Sequence, residues 1–371
     1  MTTLSLALAL SFTMSKPHSL HVTLRDVAKL SGVSIKTVSR VVNHQGEISE
    51  PTRQRVQAAI ERSGYRPNIL ARSLVNRRTD TIAVVAWGID YYGPSRTVLG
   101  IEHQSSELGY SLLLNLLLKP DHTDVGPILD DLSARRVEGI VWAVPEVGDN
   151  RAWISQGRLK QLPPIVFLSM APRPALSVIS ADNRSGAVEA TQHLIHQGRR
   201  KIGVITGPLA WWEARERLEG WKHALLRAGV DFKPSLIVEG DWSASSGERQ
   251  MLKLLEQEPE IDAVFGGNDQ MALGALGAIR ASGRRVPEDI AVVGFDDTPE
   301  SAYFWPSLTT VNQRLIEVGR DAVQSLHRLI EARRDGLENV RVPGTMLAPE
   351  LIIRLSSLAA VEHSLEVAAV Q

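Results

Sequence analysis

Four side chains with hydrogen-bonding or aromatic groups come shortly after apolar runs in the second half of this 371-residue sequence: Arg217, Trp242, Asn268 and Asp296. Guanidinium, amide and carboxylate groups form paired hydrogen bonds with adjacent hydroxyls, and an indole packs against the apolar face of a ring. Asn268 or Asp296 alone could simply cap a following helix. The four together indicate a carbohydrate-binding site.

The elements that must position these side chains are strands that alternate with helices. Short apolar runs recur at 82–87, 111–116, 139–144, 165–169, 177–181, 202–206, 236–238, 263–265 and 290–295. Amphipathic stretches, such as 184–196 and 215–228, lie between several of them. The pattern predicts an α/β fold with doubly wound parallel sheets, in which ligands bind beyond the carboxyl ends of the strands. Because the strands are too numerous for one sheet, we expect two lobes, with further strands at 308–311 and 350–354.

The sequence offers little for catalysis or metal binding. It contains no cysteine, which excludes disulfides, thiolate metal sites and cysteine nucleophiles. No G-x-S-x-G or G-x-x-x-x-G-K-[ST] motif occurs, and no G-x-G-x-x-G follows the first core strand. The neighbouring acids Asp296 and Asp297 could in principle serve a hydrolase, but adjacent residues usually point apart. We therefore expect neither an enzyme nor a bound metal or cofactor.

Charge is distributed very unevenly along the chain, although the formal net charge is only −1. Residues 20–79 carry eleven Lys and Arg against four Asp and Glu, a net charge of +7. The remainder of the chain must therefore be acidic. A small basic segment joined to a larger acidic body indicates that the small segment binds a polyanion.

The basic segment reads as three short helices between residues 22 and 64. Thr23 can cap the first helix with Asp26 completing a capping box, Gly32 can end it, and Ser34 can cap the second. A third helix is expected between Ser49 and Gly64. Two helices joined by a tight turn are typical of a helix-turn-helix, so we expect this segment to bind DNA.

Two flanking segments read differently. Residues 69–75 fit a helix too short to be stable alone, which should be ordered only when something packs against it. Residues 4–12 are apolar, but no basic residue precedes them and no cleavage motif follows. We interpret residues 1–20 as disordered or as a mis-assigned start extension, with translation beginning at Met14. No run approaches transmembrane length, so we expect a cytoplasmic protein.

Motifs along most of the chain resemble the LacI/GalR family of repressors. The amino-terminal ones are VTLRDVA at 22–28, GVSIKTVSRVVN at 32–43, YRPN at 65–68 and ARSL at 71–74. Those of the body are NDQMALG at 268–274 and VGFDDT at 293–298. The resemblance covers residues 20 to about 357, and its amino-terminal motifs are highly specific.

The resemblance implies a three-helix DNA-binding head, a hinge helix, and a two-lobed core like that of periplasmic binding proteins of type I. The head would span residues 21–66, the hinge helix and linker 67–79, the core 80–357 and a flexible tail 358–371. Within the core, one lobe would comprise about 80–181 with 313–342. The other lobe would comprise about 182–312 with 343–357.

Family positions also imply which residues bind DNA. Ile35, Lys36 and Arg40 would face base edges in the major groove, and Thr23, Ser34 and Asn43 would hold phosphates. Leu74 falls where family members insert a leucine into the minor groove and kink the DNA. The remaining expected DNA-binding positions are Thr37, Asn68 and Ala71.

For the effector, Arg217, Trp242, Asn268 and Asp296 fall on family sugar-contact positions, and Tyr91 falls on an apolar wall of the other lobe. The chain departs from the family at two places. Ser169 stands where a carboxylate contact is expected, and bulky Trp211 and Trp212 stand where small polar residues are frequent. Binding of a sugar is thus implied, a β-galactoside or a related glycoside.

The implied partners are a near-palindromic DNA operator, a sugar effector and a second copy of the chain. Trp305, with Tyr303 and Phe304, resembles a dimer interface more than a sugar platform. The leucine-rich tail found in tetrameric members is missing, so we expect a homodimer. Three alternatives remain open at this point. They are a periplasmic sugar-binding protein, which would lack the basic head, a glycosidase, and a purine-responsive repressor of the same family.

Overall fold

The computed structural model describes residues 22–43, 45–66, 78–337 and 340–358. These residues fall into two compact units, one up to Arg78 and one from Thr79 onwards. The first unit contains three helices: α1 (Leu24–Ser31), α2 (Ile35–Val42) and α3 (Glu50–Ser63).

Local sequence signals explain where the helices of the first unit begin and end. The Thr23 backbone NH donates to Asp26 Oδ2 over 2.9 Å, which confirms the predicted capping box. Gly32 ends α1 with φ +66°, a conformation that glycine adopts without steric cost. Ser34 Oγ accepts a 3.1 Å hydrogen bond from the Thr37 NH and so begins α2. Val27, Val38 and other small apolar side chains form the core of this unit.

The second unit is built on two parallel sheets, as the alternating pattern predicts. The strands are β1 (Thr81–Ala86), β2 (Ser111–Leu116), β3 (Gly139–Ala143), β4 (Ile165–Leu168), β5 (Ser177–Ala181), β6 (Ile202–Thr206), β7 (Ile237–Glu239), β8 (Ala263–Gly266), β9 (Ala291–Val293), β10 (Thr310–Asn312), β11 (Thr345–Leu347) and β12 (Glu350–Ile352). The first sheet has the order β11-β5-β4-β3-β1-β2 and the second the order β7-β6-β8-β9. A third, antiparallel sheet consists of β10 and β12.

Helices cover both faces of the two larger sheets. They are α4 (Tyr92–Glu107), α5 (Gly126–Ala134), α6 (Gln156–Leu159), α7 (Asn183–His196), α8 (Trp212–Arg227), α9 (Ala244–Gln257), α10 (Asp269–Ala281) and α11 (Leu315–Arg334), with 3₁₀ turns at Pro234–Leu236 and Pro299–Tyr303. In the first lobe, α4 and α11 pack together on one face of the sheet, while α5 covers the other. In the second lobe, α7 pairs with α8 and α9 pairs with α10. The apolar runs of β1, β3, β4 and β5 are therefore buried on both sides, while the edge strand β2 stays partly exposed.

The chain passes between the lobes three times, and the third crossing corrects an expected boundary. The segment from residue 343 was assigned to the second lobe, but β11 pairs in parallel with β5 of the first lobe. The crossing therefore lies between Leu347 and Glu350, since β12 pairs with β10. Strand β11 was missed in the sequence because Thr345 and Met346 are exposed at the sheet edge and form no apolar run.

Helices α9 and α10 approach each other closely because glycines line their contact. A Cβ placed on Gly274 would overlap the carbonyl oxygen of Ala244, and one placed on Gly247 would overlap that of Met271. Ala244 is the first residue of α9 and lies two positions after Trp242. This glycine contact therefore sets the position of the loop that carries Trp242.

Two further observations concern the exposed aromatic side chains and the length of the helices. Tyr303 and Trp305 are 88% and 85% exposed, so the aromatic side chains expected at a dimer interface lie on the surface. None of the helices within the described ranges is both long enough and apolar enough to cross a bilayer.

Candidate functional site

A cavity of about 270 Å³ lies between the two lobes of the second unit. Residues at the carboxyl ends of strands and residues of the crossing segments line it, as expected for parallel sheets. The lining includes all six side chains that the sequence nominated for the effector: Tyr91, Ser169, Arg217, Trp242, Asn268 and Asp296. These residues come from six separate parts of the chain, and the fold brings them to one place.

The buried Arg217 is the central polar group of the cavity. Its Nε donates to Asn183 Oδ1 over 2.8 Å, and its Nη1 donates to the Gly267 carbonyl oxygen. Its Nη1 also lies 3.9 Å from Asp296 Oδ1, a distance within ion-pair range. The guanidinium carbon is 3.9 Å from the centroid of the Phe295 ring. Packing and hydrogen bonds therefore hold this cation in one orientation.

Asn268 has two roles, one of which the sequence predicted. Its Oδ1 accepts from the Met271 NH over 2.9 Å and so caps α10. Its Nδ2 donates to the Trp242 carbonyl oxygen over 3.0 Å. The amide group thereby ties the loop before α9 to the start of α10, and it fixes the backbone that presents the Trp242 ring to the cavity.

The indole of Trp242 lines the cavity and packs directly against a glycine of the same lobe. A Cβ on Gly207 would overlap the Trp242 ring, so this position requires glycine. Trp242 has φ +73°, Ser169 has φ +51° and Asp296 has φ +121°. Residues other than glycine rarely adopt such backbone angles, and they tend to do so where function requires a strained geometry.

Aromatic rings form one continuous wall. Tyr91 stacks on Trp87 at a centroid distance of 5.3 Å, and Trp87 meets Trp211 edge-on at 5.3 Å. Trp211 in turn meets Trp242 at 5.9 Å. Such a wall provides apolar faces along more than one sugar ring.

Several lining residues were not among the nominated set: Trp87, Tyr92, Asn183, Trp211, Glu213 and Gln313. Trp87 directly follows β1, so the rule of strand carboxyl ends could have found it. Asn183 and Gln313 lie where the chain crosses between the lobes. The predicted positions of these crossings could have nominated both residues. Glu213 lies on α8, and only the rotation of that helix brings its carboxyl into the cavity.

The acids of the site are held in a low-dielectric setting. Burial raises the pKa of Asp296 to about 6, although Arg217 and a hydrogen bond from Gln313 act in the opposite direction. Burial likewise raises the pKa of Glu213 to about 7, against the effects of Arg217, Ser169 and Arg151. Asp269, which accepts hydrogen bonds from Thr298 and Thr310, has its pKa raised to about 7 by burial and by Asp296.

The raised pKa of Glu213 leads to a testable pH dependence. A carboxyl whose pKa is higher in the folded chain stabilises the fold below its unfolded pKa of 4.5, and that contribution is lost as pH rises through about 7. Between about pH 5 and pH 8, the free energy of unfolding should therefore fall for the wild type relative to Glu213→Gln, by up to about 3 kcal/mol. Chemical denaturation of both chains at each pH measures this difference. Glu248→Gln, which changes an exposed acid, should run parallel to the wild type, and a parallel Glu213→Gln profile would contradict the assignment.

In the first unit, the nominated residues of α2 form one exposed face. Val38 and Val41 are buried against α1 and α3, while Ile35, Lys36 and Arg40 are exposed. Thr23, Ser34, Thr37 and Asn43 lie at the helix ends or beside this face and are exposed or partly exposed. A short helix with a buried apolar side and an exposed basic side suits insertion into a major groove. The other nominated positions, Asn68, Ala71 and Leu74, lie outside the described residues.

Both units match known families. Residues 23–68 match the family described as "Bacterial regulatory proteins, lacI family", and residues 191–357 match the "Periplasmic binding protein-like domain". The transcriptional regulator CelR of Thermobifida fusca is 37% identical over 321 residues, which are 82% of this chain and 90% of CelR. The lactose operon repressor of Escherichia coli (strain K12) is 34% identical over 339 residues, 91% of each chain. The repressor PurR of Haemophilus influenzae is 34% identical over 340 residues, 90% of this chain and 98% of PurR.

Solved structures show the same architecture. A complex of the transcriptional regulator CelR with cellobiose aligns with a TM-score of 0.66 at 34% identity, covering 91% of this chain and 100% of the other. The lac repressor dimer bound to operator and the anti-inducer ONPF aligns with a TM-score of 0.82 at 33% identity, with the same coverage.

Proposed function

Because this chain belongs to the lacI family of bacterial regulatory proteins, we propose that it represses carbohydrate-utilisation genes and that a sugar effector releases it from its operator. The effector would be a β-galactoside or a related glycoside. The observation that carries the proposal is that one chain combines an exposed basic face on α2 with a cavity in which Arg217 and Asp296 lie beside Trp242. The first feature suits a DNA groove and the second a sugar.

In this proposal α2 reads the operator. Ile35, Lys36, Thr37 and Arg40 contact base edges or adjacent groups in the major groove, and Thr23, Ser34 and Asn43 bind phosphates. Leu74 inserts into the minor groove from the hinge segment, and Asn68 and Ala71 are further DNA-binding positions. A homodimer presents two such units to a near-palindromic operator, with the exposed aromatics at Tyr303 and Trp305 in the interface between copies.

The effector acts through the lobes of the core. A sugar that contacts both lobes favours the arrangement in which they lie close, and the resulting rotation between the two copies separates their hinge segments. Thermodynamic linkage then requires that operator DNA weaken sugar binding by the factor by which sugar weakens DNA binding. The named relatives are regulators, and we propose likewise that this cavity binds its ligand without turnover and that the protein acts in the cytoplasm.

The function is tested by selecting duplexes from a random library at low ionic strength and then measuring release by a panel of mono- and disaccharides. We expect sequence-specific binding that at least one sugar weakens. An absence of affinity for any duplex at low ionic strength would overturn the proposal. Because the chain is similar to PurR, hypoxanthine and guanine are tested beside the sugars. If one of these purines releases the operator and no sugar does, the purine-responsive alternative holds.

Substitution of Lys36 tests the orientation of α2. Lys36→Ala should relax the preference at one base pair in each half of the operator, costing about 1–3 kcal/mol there, because a lysine amine can donate to guanine acceptors. Fluorescence anisotropy with single-substituted operators measures the preference. The control, Arg62→Ala, removes the same charge from an exposed site on α3 and should weaken all duplexes alike, if at all. Unchanged preference in Lys36→Ala would count against the contact.

A further inference from the structure

The carboxyl of Glu213 lines the cavity beside the cluster around Arg217, whose hydrogen bonds go to Asn183 and Gly267 instead. Glu213 lies in the first turn of α8, four residues before Arg217. Residues four apart on a helix share a face and are separated by about 6 Å along the axis. Glu213 therefore presents a second polar group to the same cavity, one helical turn from the first.

The hydrogen bonding of this carboxyl is incomplete. Ser169, which directly follows β4 in the other lobe, faces this carboxyl and acts to lower its pKa. The Oε2 atom of Glu213 is withdrawn from solvent and has no hydrogen-bond partner among the residues that the structure describes. Buried polar atoms are nearly always paired, so an unpaired one calls for a partner. Because the terminal torsion of glutamate is broad, a small rotation exchanges the two oxygens and presents either to the cavity.

Aromatic groups accompany both polar positions. Trp242 lies beside Arg217, with 5.4 Å between its ring centroid and the guanidinium carbon. Trp211 lies two residues before Glu213 and contacts both Trp87 and Trp242 through its ring. The cavity thus pairs a polar group with an indole twice along α8.

The charge of the cavity favours a neutral ligand with hydroxyl groups. Asp90, Glu213 and Asp296 are acids, and Arg217 is the one cation among the described lining residues. An anionic ligand would meet these carboxyls, and those of Glu213 and Asp296 lie in a low-dielectric space, which is unfavourable. Hydroxyls donate to carboxylates without requiring a change in net charge.

We propose that Glu213 and Ser169 form a second hydroxyl-binding subsite, an inference that rests on the proposed function. This subsite lies one helical turn from the subsite of Arg217, Asn268 and Asp296. The effector is therefore a glycoside with two sugar rings. One ring lies against Trp242 and donates to Asp296, and the other lies against Trp211 and donates to Glu213.

Glu213 is not needed to hold the lobes together, since backbone groups already do so beside it. Val147 of the first lobe pairs with Trp211 in an antiparallel bridge. The Trp212 NH donates to the Glu146 carbonyl oxygen over 2.9 Å, and the Gly148 NH donates to that of Ala210 over 3.0 Å. If Glu213 only joined the lobes, its substitution would lower the affinity for monosaccharides and disaccharides by the same factor.

The test compares each disaccharide with its component sugars on the full chain. Cellobiose, lactose, glucose and galactose are titrated calorimetrically, with competition assays for weak ligands. We expect at least one disaccharide to bind about 10- to 100-fold more tightly than either of its component rings, because the second ring adds hydrogen bonds to a charged group. Glu213→Gln, which keeps the side-chain shape, should remove most of that advantage, and Ser169→Ala should reduce it. Glu216→Gln, three residues further along α8 and outside the cavity lining, should preserve it.

Two results would overturn the second subsite. One is a disaccharide that binds no better than its component sugars, and the other is an equal loss for both ligand classes in Glu213→Gln. Operator binding by the same preparations is measured in parallel. If the chain binds operator and a monosaccharide releases it as well as any disaccharide does, the proposed function stands and the subsite fails. If the chain binds no duplex, the proposed function itself fails.

Discussion

Arg217→Ala should lower the affinity for the sugar effector by about 100-fold, because each hydrogen bond that a charged group donates to the ligand contributes about 1.5–3 kcal/mol. The substitution removes the donor to Asn183 and Gly267 and leaves Asp296 without its neighbouring cation. Operator affinity in the absence of sugar should stay unchanged, since Arg217 lies in the core unit and not in the helices of the head. The expected phenotype is a repressor that no longer responds to its inducer.

Effector titrations of the operator complex measure this loss directly. Arg217→Lys keeps the positive charge but not the planar set of donors, so it should lie between the wild type and Arg217→Ala. Arg227→Ala, which removes an exposed arginine at the far end of the same helix, is the matched control and should respond normally. Circular dichroism identifies any variant that fails to fold. If a folded Arg217→Ala protein is still induced at ordinary sugar concentrations, the cavity is not the effector site.

Gly274→Ala should destabilise the core by about 3 kcal/mol, because the added methyl group overlaps the Ala244 carbonyl oxygen and forces α9 away from α10. Trp242 lies just before α9, so its ring should be displaced with the helix. Effector affinity should therefore fall together with stability. Guanidinium denaturation and sugar titration measure the two effects.

The neighbouring turn of α10 supplies a control of opposite sign. A Cβ on Gly277 meets nothing within 4 Å. Gly277→Ala should raise the free energy of unfolding by roughly 0.5–1 kcal/mol, because alanine favours a helix and restricts the unfolded chain. Equal effects of the two substitutions would show that the glycine contact does not determine the spacing of the helices.

Much of the fold follows from local patterns in the sequence. Apolar runs bounded by glycine, proline or polar residues predict the strands of both large sheets, because buried parallel strands are apolar on both faces. The edge strand β11 escapes this rule, since its side chains are exposed and it is ordered by pairing with β5. No local signal describes a partner that is more than 160 residues away, as Ser180 is from Met346. The assignment of residues 343–347 to the wrong lobe follows from that limit.

The site divides along a similar line. Asn268 and Asp296 could be nominated because strand ends in parallel sheets face ligands. The hydrogen bond from Asn268 to the Trp242 carbonyl oxygen joins residues 26 positions apart, and it depends on the close packing of two helices. Glu213 could not be nominated, because only the rotation of α8 distinguishes it from the acids on the outer face. The sequence therefore identifies the cavity residues that follow strand ends, whereas tertiary packing determines which helix residues join them.

The aromatic wall has a practical consequence. Three of the eight tryptophans, Trp87, Trp211 and Trp242, line the cavity, while Trp142 and Trp221 are enclosed in the cores of the lobes. A molecule that enters the cavity displaces water from three indoles at once, which alters their fluorescence emission. The protein thus contains an intrinsic optical reporter of occupancy, by which every variant described above can be titrated without a label.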